Sequence, residues 1–266
     1  MTAADPRRSL ELLRPNVQAL NRDISALTPQ QWAAPSSCAG WQLADLVSHV
    51  VRNGWSMLTF VSNTLEGEDK PAFGPSVAHV QEEIKAGGNA AAAQRQQRET
   101  EEFIGLLAGL NDEQLEQVNT GHPSGPRDLA WACSQRLAEV AYHHWDLRSS
   151  LAPAAPMDAQ LARHLLNYLL SPERANIMVP QPPDGSAPQT FRLRSTADGS
   201  TWRLTATPGS RQMEADAQGP ADVEVAAEPG WLALAIYGRV PIAAPHFQIT
   251  GTPDSAERFA KAFGGT

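Results

Sequence analysis

Cysteine is nearly missing from this chain. Cys38 and Cys133 are the two in 266 residues, too few for a disulfide scaffold or a four-cysteine zinc ribbon, and this usage makes the cytoplasm the expected compartment. Lysine is scarce as well, 3 residues against 18 arginines, and the basic residues are outnumbered. A net charge of -8 and a pI near 5.4 give no basic footprint, so no nucleic-acid partner is expected. No apolar run approaches the roughly 18 residues that span a bilayer, so no membrane partner is expected either. The opening Met-Thr-Ala-Ala-Asp-Pro-Arg-Arg leads into a polar helix rather than the apolar core of a signal peptide. Also absent are a Gly-rich phosphate loop, a Gly-x-Ser-x-Gly elbow and a His-Glu-x-x-His pair, which removes three common routes to catalysis.

What is present is a 42% hydrophobic fraction, enough for a core, in a chain long enough for two modest domains. Leu10, Leu13, Val17, Leu20, Ile24 and Leu27 recur at spacings of three and four, which predicts a first amphipathic helix over about 9–27. A second helix is expected from Trp41 or Gln42 to about Leu65, with Gly54 as its one weak residue. A connection over Gly67 to Gly74 leads to a third helix carrying Val77, Val80, Ile84, Phe103, Leu106, Leu107 and Leu110, with Gly87-Gly88 as an interruption. Its polar run Gln94-Arg-Gln-Gln-Arg-Glu-Thr-Glu-Glu reads as a solvated face. A loop over 110–126, holding one short helix and His122, precedes a fourth helix over about 127–150.

Pro153 and Pro156 mark a boundary, so the expected domains are 1–152 and 153–266. A helix from Asp158 to Leu170 follows, with His164 on a structural face. The pattern then alternates with period two around Ala197-Asp-Gly-Ser, a hairpin signature. Further strands are expected at 213–217, 223–227 and 247–250, and helices at 228–237 and 253–263. The fold class is therefore multi-domain: an all-α four-helix unit followed by a small α+β domain.

The chemistry concentrates in Ala138-Glu-Val-Ala-Tyr-His-His-Trp-Asp-Leu147. On a helix Glu139, His143 and Asp146 stand at i, i+4 and i+7, one carboxylate, one imidazole and a second carboxylate on a single stripe. Such a stripe also arises as a plain polar face with i,i+4 pairs. Here Leu137, Val140 and Leu147 flank it, so the stripe is expected inside, where ionisable groups need a partner or a metal. His144 falls off the stripe and reads as an ordinary hydrogen-bonding residue. A metal site needs another donor, and His49 of the second helix is the best candidate, with Asp45 one turn earlier placed to orient its ring. Asp146 is expected to hold His143 from behind rather than to ligate.

The pair Trp41-x-x-x-Asp45-x-x-x-His49 and Glu139-x-x-x-His143-x-x-Asp146-Leu147 resembles the metal-binding pattern of the mycothiol-dependent maleylpyruvate isomerase family, whose members are DinB-like helical bundles. Pro35-Ser-Ser-Cys38-Ala-Gly-Trp41 and Gly238-Arg239 add to the likeness, which covers most of the chain. The resemblance implies a DinB-like four-helix bundle, then a sterol-carrier-like domain, and a divalent metal, usually zinc, on His49, Glu139 and His143. It also implies a cosubstrate thiol, mycothiol or a relative of it, activated as a metal-bound thiolate that attacks a small electrophile, by S-transfer or by isomerisation. An arginine in the region of Arg239 is functionally important in that family, so Arg239 is a candidate grip for a carboxylate. The plainer reading of Arg239 is a cation compensating a helix C-terminus capped by Gly238.

Two other readings remain open. A metal-dependent hydrolase would use bound water, with Asp146 as general base, and a non-catalytic protein would bind an apolar ligand in the C-terminal domain. Cys38 as a nucleophile would need an adjacent base, and its Pro, Ser and Gly neighbours equally describe a tight turn into the second helix. A monomer or a homodimer is expected.

Overall fold

The computed structural model describes residues 5–67, 76–119, 125–170, 188–207, 210–215 and 219–263. His122 and most of the connection from Gly67 to Gly74 lie outside them. Two compact units emerge, Asp5–Ala154 and Ala155–Thr266.

The first unit is helical. Helix α1, Pro6–Ala26, starts where the Asp5 side chain accepts from the Arg7 N–H and Pro6 takes a first-turn position that needs no donor. It buries Leu10, Leu13, Val17, Leu20 and Ile24, the stripe its sequence spells. A single turn, α2 (Pro29–Trp32), is closed by a reciprocal Thr28–Gln31 capping box. Helices α3 (Leu43–Leu65), α4 (Ser76–Ala108), α5 (Asp112–Leu115) and α6 (Leu129–Leu151) follow. The four long helices share one core, α1 packing on α4 and α6, and α3 packing on the same two. Gly88 has φ 71 and ψ -172, so α4 is two helical pieces joined at a kink. That places the interruption at the glycine pair, where a left-handed residue costs least.

Between α5 and α6 the strands β1 (Val118–Asn119) and β2 (Arg127–Asp128) form a two-residue antiparallel ladder that the sequence does not announce. Asp128 ends the ladder and caps α6, its carboxylate accepting from the Trp131 N–H at 2.6 Å. No helix among the described residues is long and apolar enough to cross a membrane.

The second unit is α+β. Helix α7 (Ala159–Leu169) is capped by Asp158 and precedes a five-stranded sheet made of β3 (Gln189–Ser195), β4 (Thr201–Thr207), β5 (Ser210–Ala215), β6 (Val223–Ala227) and β7 (Gln248–Gly251). The strand order is β5-β4-β3-β6-β7, with β3 and β6 parallel and the other pairs antiparallel. Phe191, Leu193, Trp202, Leu204, Val223 and Val225 alternate onto one buried face, as a period of two requires. Helix α8 (Pro229–Ile236) is buried and packs on α7, while α9 (Pro253–Phe263) lays Phe259 and Phe263 against Phe191 at ring separations of 5.6 and 5.9 Å.

Candidate metal centre

Helices α3 and α6 pack together, and each offers polar side chains to the seam. His49 Nε2 lies 3.3 Å from Glu139 Oε2, and His143 Nε2 lies 3.5 Å from that same oxygen. One ligand atom from each of the three residues lies within 4.8 Å of the others. Donors on a tetrahedral ion with bonds of about 2.0–2.1 Å stand about 3.3–3.4 Å apart. Two imidazoles and a carboxylate suit a first-row divalent ion and leave coordination positions for another ligand. The residues therefore fit a divalent cation in both chemistry and spacing.

The surroundings fix each donor. The other Glu139 oxygen accepts from Gln135 Nε2 at 2.8 Å. His143 Nδ1 lies 3.0 Å from Asp146 Oδ2, which leaves Nε2 directed at Glu139. That aspartate oxygen also accepts from the Cys38 thiol at 3.4 Å, so Cys38, His143 and Asp146 form a second cluster of donors sharing one residue with the first. The turn carrying Cys38 is tied to α6: Ser37 Oγ donates to the Asp146 carbonyl at 3.0 Å, and the Ser37 N–H donates to Ser150 Oγ at 2.7 Å. At the end of this turn the Trp41 ring lies 4.9 Å from the His49 ring and 6.3 Å from that of His143.

Electrostatics separates the two imidazoles. Burial pushes the His49 pKa down, against the pull of its hydrogen bond with Glu139. Burial would do the same to His143, but hydrogen bonds with Asp146, Cys38 and Glu139 hold it well above the usual 6.5. Burial alone would raise Glu139, and the hydrogen bonds from His143 and His49 instead hold it well below the usual carboxylate range.

The family of the mycothiol maleylpyruvate isomerase N-terminal domain matches residues 13–148, a span holding every donor named above. The chain belongs to this family. Among solved structures, a crystal structure of the mycothiol-dependent maleylpyruvate isomerase superposes with a TM-score of 0.66 at 15% identity, over 94% of this chain and 96% of that one. A histidine-to-alanine mutant of a mycothiol-dependent maleylpyruvate isomerase gives 0.64 at 16% identity with the same coverage. At such identities the likeness is one of fold. No curated protein matches the chain.

Within this member of the maleylpyruvate isomerase family, His49, Glu139 and His143 come together and Asp146 stands behind His143. Arg239 belongs to the other unit. It follows a helix end in which the Gly238 N–H bonds the Ala235 carbonyl and the Arg239 N–H bonds that of Leu234, with Gly238 at φ 70. Its guanidinium lies over the Tyr237 ring at 5.0 Å. His144 pairs with Asp23 at 2.7 Å, away from the donors. Cys133 is buried and its thiol is pushed up to about 12 by that burial, which leaves it inert.

Two expectations need correction. Asp45 does not orient His49: it sits at the third position of α3, where Oδ2 accepts from the Gln42 N–H at 2.9 Å and Oδ1 pairs with Lys85 at 2.7 Å. Capping claims the carboxylate first, because the free N–H groups are one turn nearer than the ring. The polar run on α4 is not simply a solvated face, since Gln96, Glu99 and Thr100 are buried. Glu99 accepts from Arg95 at 2.7 Å and lies near Arg136 of α6, which donates from Nη1 to the Val50 carbonyl and to Asn53 Oδ1, both at 2.9 Å. Arg136, Arg52 and Gln135 were not singled out from sequence. Gln135 at i-4 and Arg136 at i-3 from Glu139, and Arg52 at i+3 from His49, all carried a readable helical spacing, but spacing does not show that Arg136 turns to Val50 and Asn53 of α3.

Proposed function

We propose that this chain is an enzyme that holds a divalent cation, zinc, on His49, Glu139 and His143 and uses it to activate a low-molecular-weight thiol, mycothiol, against a small electrophile. The observation that carries the reading is the pair of 3.3 and 3.5 Å separations converging on Glu139 Oε2, in a chain of this family. A cation bound there supplies the positive charge that lets a thiol lose its proton near neutral pH. The chain's own residues do the rest. Asp146 accepts the Nδ1 proton of His143, which keeps Nε2 free as a ligand and stiffens the ring; direct ligation by Asp146 would sacrifice that hydrogen bond. Trp41 walls the imidazoles.

In this reading the four long helices form the DinB-like bundle over 1–152, and residues 153–266 form a sterol-carrier-like domain. Arg239 is assigned the grip on a substrate carboxylate, since a planar guanidinium makes two parallel hydrogen bonds. The protein works in the cytoplasm as a monomer or homodimer, on transfer or isomerisation of the electrophile.

Metal analysis of the purified protein combined with turnover assays with and without mycothiol tests the proposal. The expected result is about one divalent ion per chain and turnover that needs the thiol, with His49→Ala losing the ion while keeping its helical content. Full occupancy in His49→Ala overturns the ligand set. Turnover indifferent to thiol overturns the thiol chemistry in favour of hydrolysis.

A further inference from the structure

Burying a guanidinium is costly, and α6 buries one. Arg136 is 1% exposed, and its Nη1 crosses to α3, where it donates to the Val50 carbonyl and to Asn53 Oδ1, both at 2.9 Å. As a source of stability the arrangement is poor. Arg136 Nη2 and the nearby Glu99 Oε2 are buried atoms with no hydrogen-bond partner among the described residues. What the contact gains is position. In an α-helix a carbonyl is directed toward the residue four places on, which for Val50 is Gly54. A Cβ at Gly54 would stand 2.8 Å from Arg136 Nη2, 3.2 Å from its Cζ and 3.4 Å from Glu99 Oε2, so the missing side chain leaves a notch through which the guanidinium reaches the α3 backbone. Contacts between side chains follow a small slide of one helix by changing rotamer, whereas a backbone carbonyl is fixed in the frame of its helix. Val50 is next to His49, Asn53 lies one turn beyond it, and Arg136 stands three residues before Glu139. A slide of α3 by one residue, about 1.5 Å along its axis, would disturb the approach of His49 to Glu139 and unseat Arg136 together.

We propose that Arg136, seated in the notch at Gly54, is a positioning residue that sets the axial register of α3 against α6, and through that register how tightly His49, Glu139 and His143 hold a divalent cation. The inference rests on those three residues being the cation's ligands. Without the seat, α3 samples neighbouring registers, and the cation's affinity falls by the fraction of time in which the donors converge.

The experiment measures zinc affinity by chelator competition, the visible spectrum of cobalt-loaded protein and the urea unfolding of metal-free protein, for wild type and variants. Arg136→Met combined with Glu99→Gln removes both buried charges and keeps the bulk. Metal-free, it is expected to unfold near the wild-type midpoint, because apolar replacement of a buried charge is often neutral. It should nonetheless bind zinc about tenfold more weakly, within the range of losses for residues that orient ligands, and its cobalt spectrum should change. Gly54→Ala keeps every charge and fills the notch, and it should weaken zinc by a similar factor. Val17→Ala opens a cavity in α1 and should lower the urea midpoint with zinc affinity and cobalt spectrum unchanged. Wild-type zinc affinity in the folded double variant or in folded Gly54→Ala overturns the register role. So does a Val17→Ala that weakens zinc in step with its lost stability, since affinity would then follow stability alone. Those outcomes leave the proposed function standing. Wild type that takes up no zinc overturns the proposed function, and the register role falls with it.

Discussion

Glu139 Oε2 receives both imidazoles, and this convergence gives the metal-free protein an unusual response to pH. His143 titrates above its ordinary 6.5, so its contribution to stability is complete below about that pH and disappears as pH rises through the raised value. Glu139 works in the other direction, contributing above 4.5 and losing that contribution as pH falls through its depressed value. Urea unfolding of metal-free protein should therefore show stability declining as pH is raised past 6.5 through the His143 value. Across the same interval cation affinity should climb, because His143 must shed its proton to ligate; proton release measured in two buffers checks this. Asp146→Asn should weaken the cation roughly 10 to 100-fold in a chelator competition with little change in helical content. Unchanged affinity would remove Asp146 from the site. The stripe of Glu139, His143 and Asp146 was legible because helical spacing alone stacks them. The fate of Asp45 was not: it shares a face with His49, and only its closeness to an open helix end decides which N–H it serves.

Among the elements, α3 owes its fit to a residue that weakens helices. A Cβ on Gly54 would come within 2.8 Å of Arg136 Nη2, and that guanidinium is buried and pinned by Val50 and Asn53, about one turn from the proposed ligands on both helices. Burial lowers Arg136 to about 10, still charged at neutral pH. Gly54→Ala should destabilise the protein by about 1–3 kcal/mol through overpacking, although alanine gains about 1 kcal/mol of helix propensity, and it should loosen the cation as α3 shifts against α6. Gly105 in α4 is the control. A Cβ there meets nothing within 4 Å, so Gly105→Ala should stabilise by about 0.5–1 kcal/mol. Denaturation midpoints of the two variants give opposite signs if the contact with Arg136 is what matters. Element type was readable in α1, β3 and β4, which carry their own periods, whereas the two-residue strands β1 and β2 are too short to carry one. The burial of Gln96, Glu99 and Thr100 was not, because it is decided by the helices that pack over α4, namely α1 and α3, and local sequence holds no record of that packing.

At the scale of the molecule, every candidate donor lies in the unit Asp5–Ala154. Differential scanning calorimetry should then resolve a transition that zinc moves upward and another that it leaves in place. At a free ion concentration 100 times the dissociation constant the shift corresponds to about 2.7 kcal/mol. A uniform shift of the whole thermogram would contradict this. In the second unit the helix end at Gly238 is closed by backbone hydrogen bonds and lysine keeps the charge of Arg239, so Arg239→Lys should leave melting and zinc content almost unchanged. Impaired turnover in that variant would mark the guanidinium as a grip on substrate, and normal turnover would leave it a surface cation. The division into a helical part and a mixed part was visible as a change of period, whereas the pairing of β3 with β6 needed the folded chain.

His49 and Glu139 stand 90 positions apart, and the donors they present meet at one point. An ion seated there, as proposed, would be a removable cross-link between early and late segments of the helical unit and would favour the closed chain. How long a copy survives a protease would then depend less on its sequence than on how much of the ion is to hand, which makes the molecule's lifetime a gauge of metal supply.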